Sequence, residues 1–144
     1  MTKITREKIL EKLQRLDEYM GYLLRLRKEI KTKKEFLSDF HFFGLVERYL
    51  QLCSQTLIDT LDLIIIEENL EKPEDHREAI SLLLEKGIIS EKLAKKMEGI
   101  SGFRNILVHE YGKIDRSKVY LYFTAQLEDF EIFKKEILRW LQKK

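Results

Sequence analysis

The strongest regularity along the chain is the return of apolar residues every three or four positions. Ile9, Leu13, Leu16, Met20, Leu23 and Ile30 form such a stripe against a face of Lys, Arg, Glu and Gln, and predict one long helix over about 5–31. Thr32-Lys33-Lys34-Glu35 has capping-box spacing and predicts a restart. Phe43, Val46, Leu50, Cys53, Leu57, Leu61 and Ile64 predict a second long helix from about Asp39 to Asn69, with Pro73 enforcing a stop or loop. A short helix from about His76 to Lys86 precedes Gly87, which sits where a left-handed C-terminal cap is expected. Ser90 can cap a further helix running toward Val108, with Ile100, Phe103 and Leu107 on its buried side and Gly112 able to end it. Gly99 and Gly102 lie inside that helix at about 1 kcal/mol each relative to alanine, which points to close approach of another backbone. Asp115 can cap a last helix to about Leu141, lined by Val119, Phe123, Phe130, Phe133, Ile137 and Trp140. Val119 to Phe123 has strand-like propensity, but the longer downstream pattern is helical and decides the reading.

These elements predict an all-α fold, an antiparallel bundle of about four main helices plus short pieces. One proline and six glycines leave few places to break a helix. The 144 residues point to a single domain, 1–144, able to bury a core without disulfides or metals. With 27 basic and 25 acidic residues the net charge is +2, too balanced for a general nucleic-acid coat, so any RNA contact must come from a local basic site. The single cysteine, Cys53, falls on an apolar face and reads as a buried, inert thiol in a reducing compartment. Lys3, Arg6, Glu7 and Lys8 leave no apolar h-region, and the longest aliphatic run, Leu63 to Ile66, is too short to span a bilayer. The expectation is a soluble, cytoplasmic protein that does not use a membrane.

One stretch stands apart from the solvated faces. Arg104-Asn105-Ile106-Leu107-Val108-His109-Glu110-Tyr111 gathers four chemically capable side chains at a helix end just before Gly112. On a helix Asn105 and His109 share a face, and the long side chain of Arg104 can reach round to them. Histidine titrates near neutrality and suits general acid–base work. Arginine makes a planar, permanently charged, bidentate contact to phosphate, and asparagine can orient an oxygen nucleophile or a phosphate oxygen. RNA carries its own nucleophile, the 2′-hydroxyl, so a base and a cation suffice for cleavage without a metal. One histidine cannot readily serve both sides of the phosphorus, and a symmetric dimer would supply a second copy. On the residues alone, a structural histidine bonded to a carbonyl remains the commoner arrangement.

The same octet resembles the Arg-x4-His-x-Tyr signature of the HEPN superfamily, specifically its HepT branch. Gly102-Phe103 before it, and Gly112, Ile114-Asp115 and Val119-Tyr120 after it, agree with that branch, and Val46-Glu47-Arg48-Tyr49-Leu50-Gln51 resembles its second long helix. The resemblance covers nearly the whole chain. It implies a small helical homodimer acting as an RNase toxin, with both protomers' motifs facing one cleft. By position, Arg104 and His109 would be catalytic and Asn105 an accessory polar residue. The implied partner is a minimal nucleotidyltransferase (MNT) antitoxin that transfers AMP from ATP to the motif tyrosine, here Tyr111. A bulky anionic adduct there would block the cleft and compete with RNA phosphate for Arg104. ATP and magnesium would belong to the antitoxin, and no cofactor is implied for this chain.

Other polar clusters have plainer readings. Glu47, Arg48 and Gln51 lie on one helical face, as a structural network or as support for the cleft or a dimer contact. His41 and His76 lack partners at motif spacing and suit surface or capping roles. Glu67-Glu68-Asn69-Leu70-Glu71 matches the Glu-Glu-x-x-Glu of all-helical nucleotide pyrophosphohydrolases, but no Glu-x-x-Asp half follows and Pro73 ends the helix, so it reads as an acidic helix end. No Cys/His cluster or Gly-rich phosphate loop occurs, and no metal site is expected. The aromatics of Val119 to Phe123 suit core or dimer packing better than base stacking. The rival class of function is a non-catalytic subunit that binds substrate or nucleotide for a nucleotidyltransferase.

Overall fold

The computed structural model describes residues 1–107 and 113–144. Among them the chain folds as α1 (Lys3–Glu29), α2 (Lys33–Ser38), α3 (Phe40–Glu67), α4 (His76–Glu85), α5 (Glu91–Leu107), α6 (Arg116–Ala125) and α7 (Glu128–Gln142). This is the expected all-α bundle, with α1, α3, α5 and α7 as its long members.

Side chains mark most of the starts. Thr2, Thr32, Asp39, Asp75 and Asp115 each accept from a backbone N–H in the first turn of the helix that follows. The capping box at Thr32 is half formed as expected: Thr32 accepts from Glu35 N at 3.1 Å, while Glu35 Oε2 reaches one residue further back to Lys31 N at 3.3 Å. Two ends rest on left-handed residues. Gly87 has φ +72°, as its position suggested. The end of α3 comes earlier than Pro73: Asn69 has φ 56°, and Leu70 N bonds back to Ile65 O at 3.1 Å.

α3 is the central helix, packed on α1, α2, α4, α5 and α6. That explains its composition, because a helix covered on several sides is apolar nearly all round. Among the described residues it is the one helix long and apolar enough to cross a membrane, yet more than half of that apolar window is buried within the bundle. The core is one continuous cluster that includes the whole predicted stripe of α1 and the fully buried Phe36, Phe123, Phe130 and Phe133. Phe36 is the only buried residue of the short α2, and its ring lies 5.2 Å from Tyr120 and 6.3 Å from Phe123.

Two sequence expectations are corrected. The last helix is not continuous from Asp115 to Leu141: it breaks at Gln126–Leu127 into α6 and α7. Thr124 Oγ1 donates toward the carbonyls of Tyr120 and Leu121 at 3.0 and 3.2 Å, competing with the backbone ladder just before the break. Leu127 is fully buried at the corner, so the apolar period runs straight through it and hides the break. Nor do Gly99 and Gly102 meet another backbone among the described residues. A Cβ on either would meet nothing described within 4 Å, and both are exposed.

Candidate functional site

Helix α5 carries the motif arginine, and its rotation is fixed by the opposite side. Leu93, Met97, Ile100, Phe103 and Leu107 are buried. Phe103 stacks on Tyr122 of α6, with ring centroids 4.3 Å apart and an interplanar angle of 12°. The next residue, Arg104, is thereby turned to the boundary with α3, where it is half-buried. Its Nε and Nη2 donate to Oε1 of Gln55 at 3.1 and 2.8 Å.

Gln55 is in turn held. Its Nε2 donates to Oδ1 of Asp59, one turn along α3, at 2.9 Å. Lys12 of α1 brings its Nζ to 3.7 Å from Asp59 Oδ2. A polar relay thus crosses from α1 through α3 to α5 and ends on the guanidinium.

A second polar group lies two turns earlier on α3. Arg116, the first residue of α6, donates from Nε to Glu47 Oε2 at 3.2 Å and lies 4.0 Å from the centroid of the Phe43 ring. Glu47 is buried, and burial pushes its carboxyl above the ordinary range, while the charge and hydrogen bond of Arg116 pull the other way. Arg48 is exposed and donates to Gln51 Oε1 at 3.4 Å. Of the three residues expected to support a cleft, Glu47 therefore anchors α6, and Arg48 and Gln51 bond each other. The residue on Arg104 is Gln55, which the sequence reading missed. Its signal is the spacing Glu47, Gln51, Gln55, Asp59, a charged or amide side chain every fourth position along one face of α3.

Gln55 and Glu47 are eight residues apart, about 12 Å of helix rise. The chain that joins the two anchored arginines is the segment from 105 to 115. His109 and Tyr111 lie outside the described residues, as does Gly112, and of Asn105 only its place in α5 is described.

The remaining candidates fall where their plainer readings put them. His41 is exposed, with Nδ1 3.2 Å from Asp39 Oδ1. His76 begins α4. Glu68 pairs with Lys144 at 2.6 Å, and Glu67 lies 3.4 Å from the N-terminal amine. Cys53 is buried, and burial raises its thiol well above the usual range, so it is not a nucleophile. Val119, Tyr122 and Phe123 belong to the core, whereas Leu121 is exposed.

The model of the family described as "Ribonuclease HepT-like" matches residues 9–137. The chain belongs to the ribonuclease HepT-like family. Among its relatives, a tRNA nuclease HepT of Aphanizomenon flos-aquae is 31% identical over 141 residues, 98% of this chain and 95% of that protein. An mRNA nuclease HepT of Shewanella oneidensis is 31% identical over 99 residues, 69% of this chain and 74% of that protein. Among solved structures, a tri-AMPylated Shewanella oneidensis HEPN toxin in complex with an MNT antitoxin aligns with a TM-score of 0.80 at 26% identity, covering 96% of this chain and 99% of that one. The resemblance read from Arg104 to Tyr111 thus extends to the whole HepT-like fold.

Proposed function

We propose that this HepT-like protein is a cytoplasmic endoribonuclease toxin that works as a homodimer and without a metal. His109 takes the proton of an RNA 2′-hydroxyl. The 2′-oxygen attacks the adjacent phosphorus, and the 5′-oxygen leaves with a proton, so a 2′,3′-cyclic phosphate forms. Arg104 holds the phosphate and stabilises the charge that develops on it, and Asn105 orients an oxygen. Two protomers facing one cleft supply one histidine as base and another as acid. Glu47, Arg48 and Gln51 support the cleft wall on α3. An MNT antitoxin silences the toxin: the Tyr111 phenol attacks the α-phosphorus of ATP, pyrophosphate leaves, and AMP remains on the ring.

One observation carries this reading. Arg15, Arg27 and Arg116 bond carboxylates and the exposed Arg48 a neighbouring amide on its own helix, whereas the half-buried Arg104 is held across to another helix by two bonds to one neutral amide oxygen. No carboxylate among the described residues meets its charge, which suits it to an outside anion, and it stands five residues before the histidine of the motif.

The test is RNA cleavage by protein whose intact mass shows no AMP, in the presence of EDTA. Wild type is expected to cut and His109→Ala to leave RNA whole. If both leave RNA equally intact, the nuclease reading fails and the binding-subunit reading replaces it.

A further inference from the structure

We propose that Gln55 is a positioning residue for Arg104, holding one edge of the guanidinium so that the other edge and its full charge are delivered to RNA phosphate. The inference rests on the nuclease reading above, and names a residue in which that reading had no part.

The geometry defines which edge is taken. A guanidinium offers a side edge, Nε with Nη2, and an end edge, Nη1 with Nη2. Oε1 of Gln55 accepts from Nε and Nη2. The end edge is not taken by Gln55, and it is the edge that can make the paired contact to two phosphate oxygens.

The orientation of the amide is also determined. Arg104 has only donors and the Asp59 carboxylate only acceptors. A glutamine between them satisfies both in a single orientation, with Oε1 toward Arg104 and Nε2 toward Asp59, and that is the arrangement found. Lys12 stands on the far side of Asp59 and offsets its charge. The holder therefore presents a neutral oxygen to the guanidinium. A glutamate at position 55 would make the same contact to Arg104 while cancelling its charge, and would face Asp59 with like charge.

Position and charge are separable by experiment. Single-turnover cleavage and equilibrium RNA binding at several salt concentrations are measured for wild type, Gln55→Ala, Gln55→Glu, Arg104→Ala and the Gln55→Ala/Arg104→Ala double variant. Circular dichroism melts check that each folds. Gln55→Ala keeps the charge and loses the hold, so cleavage falls roughly 10- to 100-fold with an unchanged salt slope. Gln55→Glu keeps the hold and loses the charge, so the slope of log K against log salt falls by about 0.7 per site, as in Arg104→Ala. In the double variant, Gln55→Ala adds nothing to the loss caused by Arg104→Ala. A merely structural role would instead give additive losses and identical salt slopes in both position-55 variants, which overturns the proposal. Gln55→Ala cleaving like wild type while Arg104→Ala is inactive also overturns it and leaves the nuclease reading intact. Cleavage by Arg104→Ala at the wild-type rate removes the reading on which it rests.

Discussion

Replacing Tyr122 by phenylalanine should stabilise the protein. Tyr122 is 5% exposed, and among the described residues its hydroxyl has no hydrogen-bond partner. A buried hydroxyl without a partner costs about 1–3 kcal/mol of lost hydration. The ring itself is well placed, stacked on Phe103 and 6.1 Å edge-on from Phe130, and phenylalanine keeps both contacts. What is lost is the volume of one oxygen, roughly 15 Å³, which at about 24 cal/mol per Å³ costs about 0.4 kcal/mol. The balance favours the variant by about 1–2 kcal/mol, or roughly 3–6 °C in Tm for a chain of this length. Burial, and next the negative charge of Asp129, raise the phenol far above its ordinary value of 10.0. It stays protonated, and the gain should be constant from about pH 6 to about pH 9. Urea unfolding of both proteins, with m unchanged, reads the difference as a shift in midpoint. A variant less stable than wild type by about 1 kcal/mol or more would mean that the hydroxyl donates a hydrogen bond worth keeping, and would refute the reasoning.

Two further outcomes test the structure away from the chemistry. Gly99→Ala, in the interior of α5 with nothing within 4 Å of the new methyl, should raise stability by about 1 kcal/mol in urea titrations; a loss would show that a neighbour does crowd that face. Glu47 supplies a pH dependence of defined sign. Its carboxyl sits above the ordinary 4.5 because it is buried, with Arg116 opposing, so the folded state holds the proton more tightly than the unfolded chain. The stability of wild type relative to Glu47→Gln should therefore fall as pH rises upward from 4.5 and level off above the folded value. A difference that grows with pH over that window would mean that Arg116, not burial, dominates the site.

Most helices were legible because they are marked by local signals. Thr32, Asp39, Asp115 and Ser90 stand where caps are needed, and the stripe of α1 matches its buried residues almost position for position, whereas the stripe of α3 finds only one side of a helix that is buried on several. The break between α6 and α7 was not legible for a specific reason. Leu127 continues the apolar period across the corner, and periodicity reports which face is buried, not whether the axis stays straight. The end of α3 was placed near Asn69 but assigned to the wrong cause. Asn69 itself turns left-handed, with a short side chain that tolerates that conformation, and Pro73 follows an end already made.

The candidate site divides along the same line between local and distant information. Arg104, Asn105, His109 and Tyr111 fall within eight residues, so a single motif displays them. Their support comes from far along the chain: Gln55 is 49 residues from Arg104, and Glu47 is 69 residues from Arg116. No local pattern pairs such residues. The stripe from Glu47 to Asp59 was nonetheless visible as charged or amide side chains every fourth position along one face of α3. Stopping at Gln51 left out the member that meets the motif. A polar residue at a half-buried place on a central helix needs a partner from another element, and in this chain the half-buried arginine of α5 supplies it. The chemistry of an arginine then depends on what that partner is. Glu47 gives Arg116 a counter-charge and makes it an anchor, whereas Gln55, the partner of Arg104 among the described residues, gives it a hold without a counter-charge.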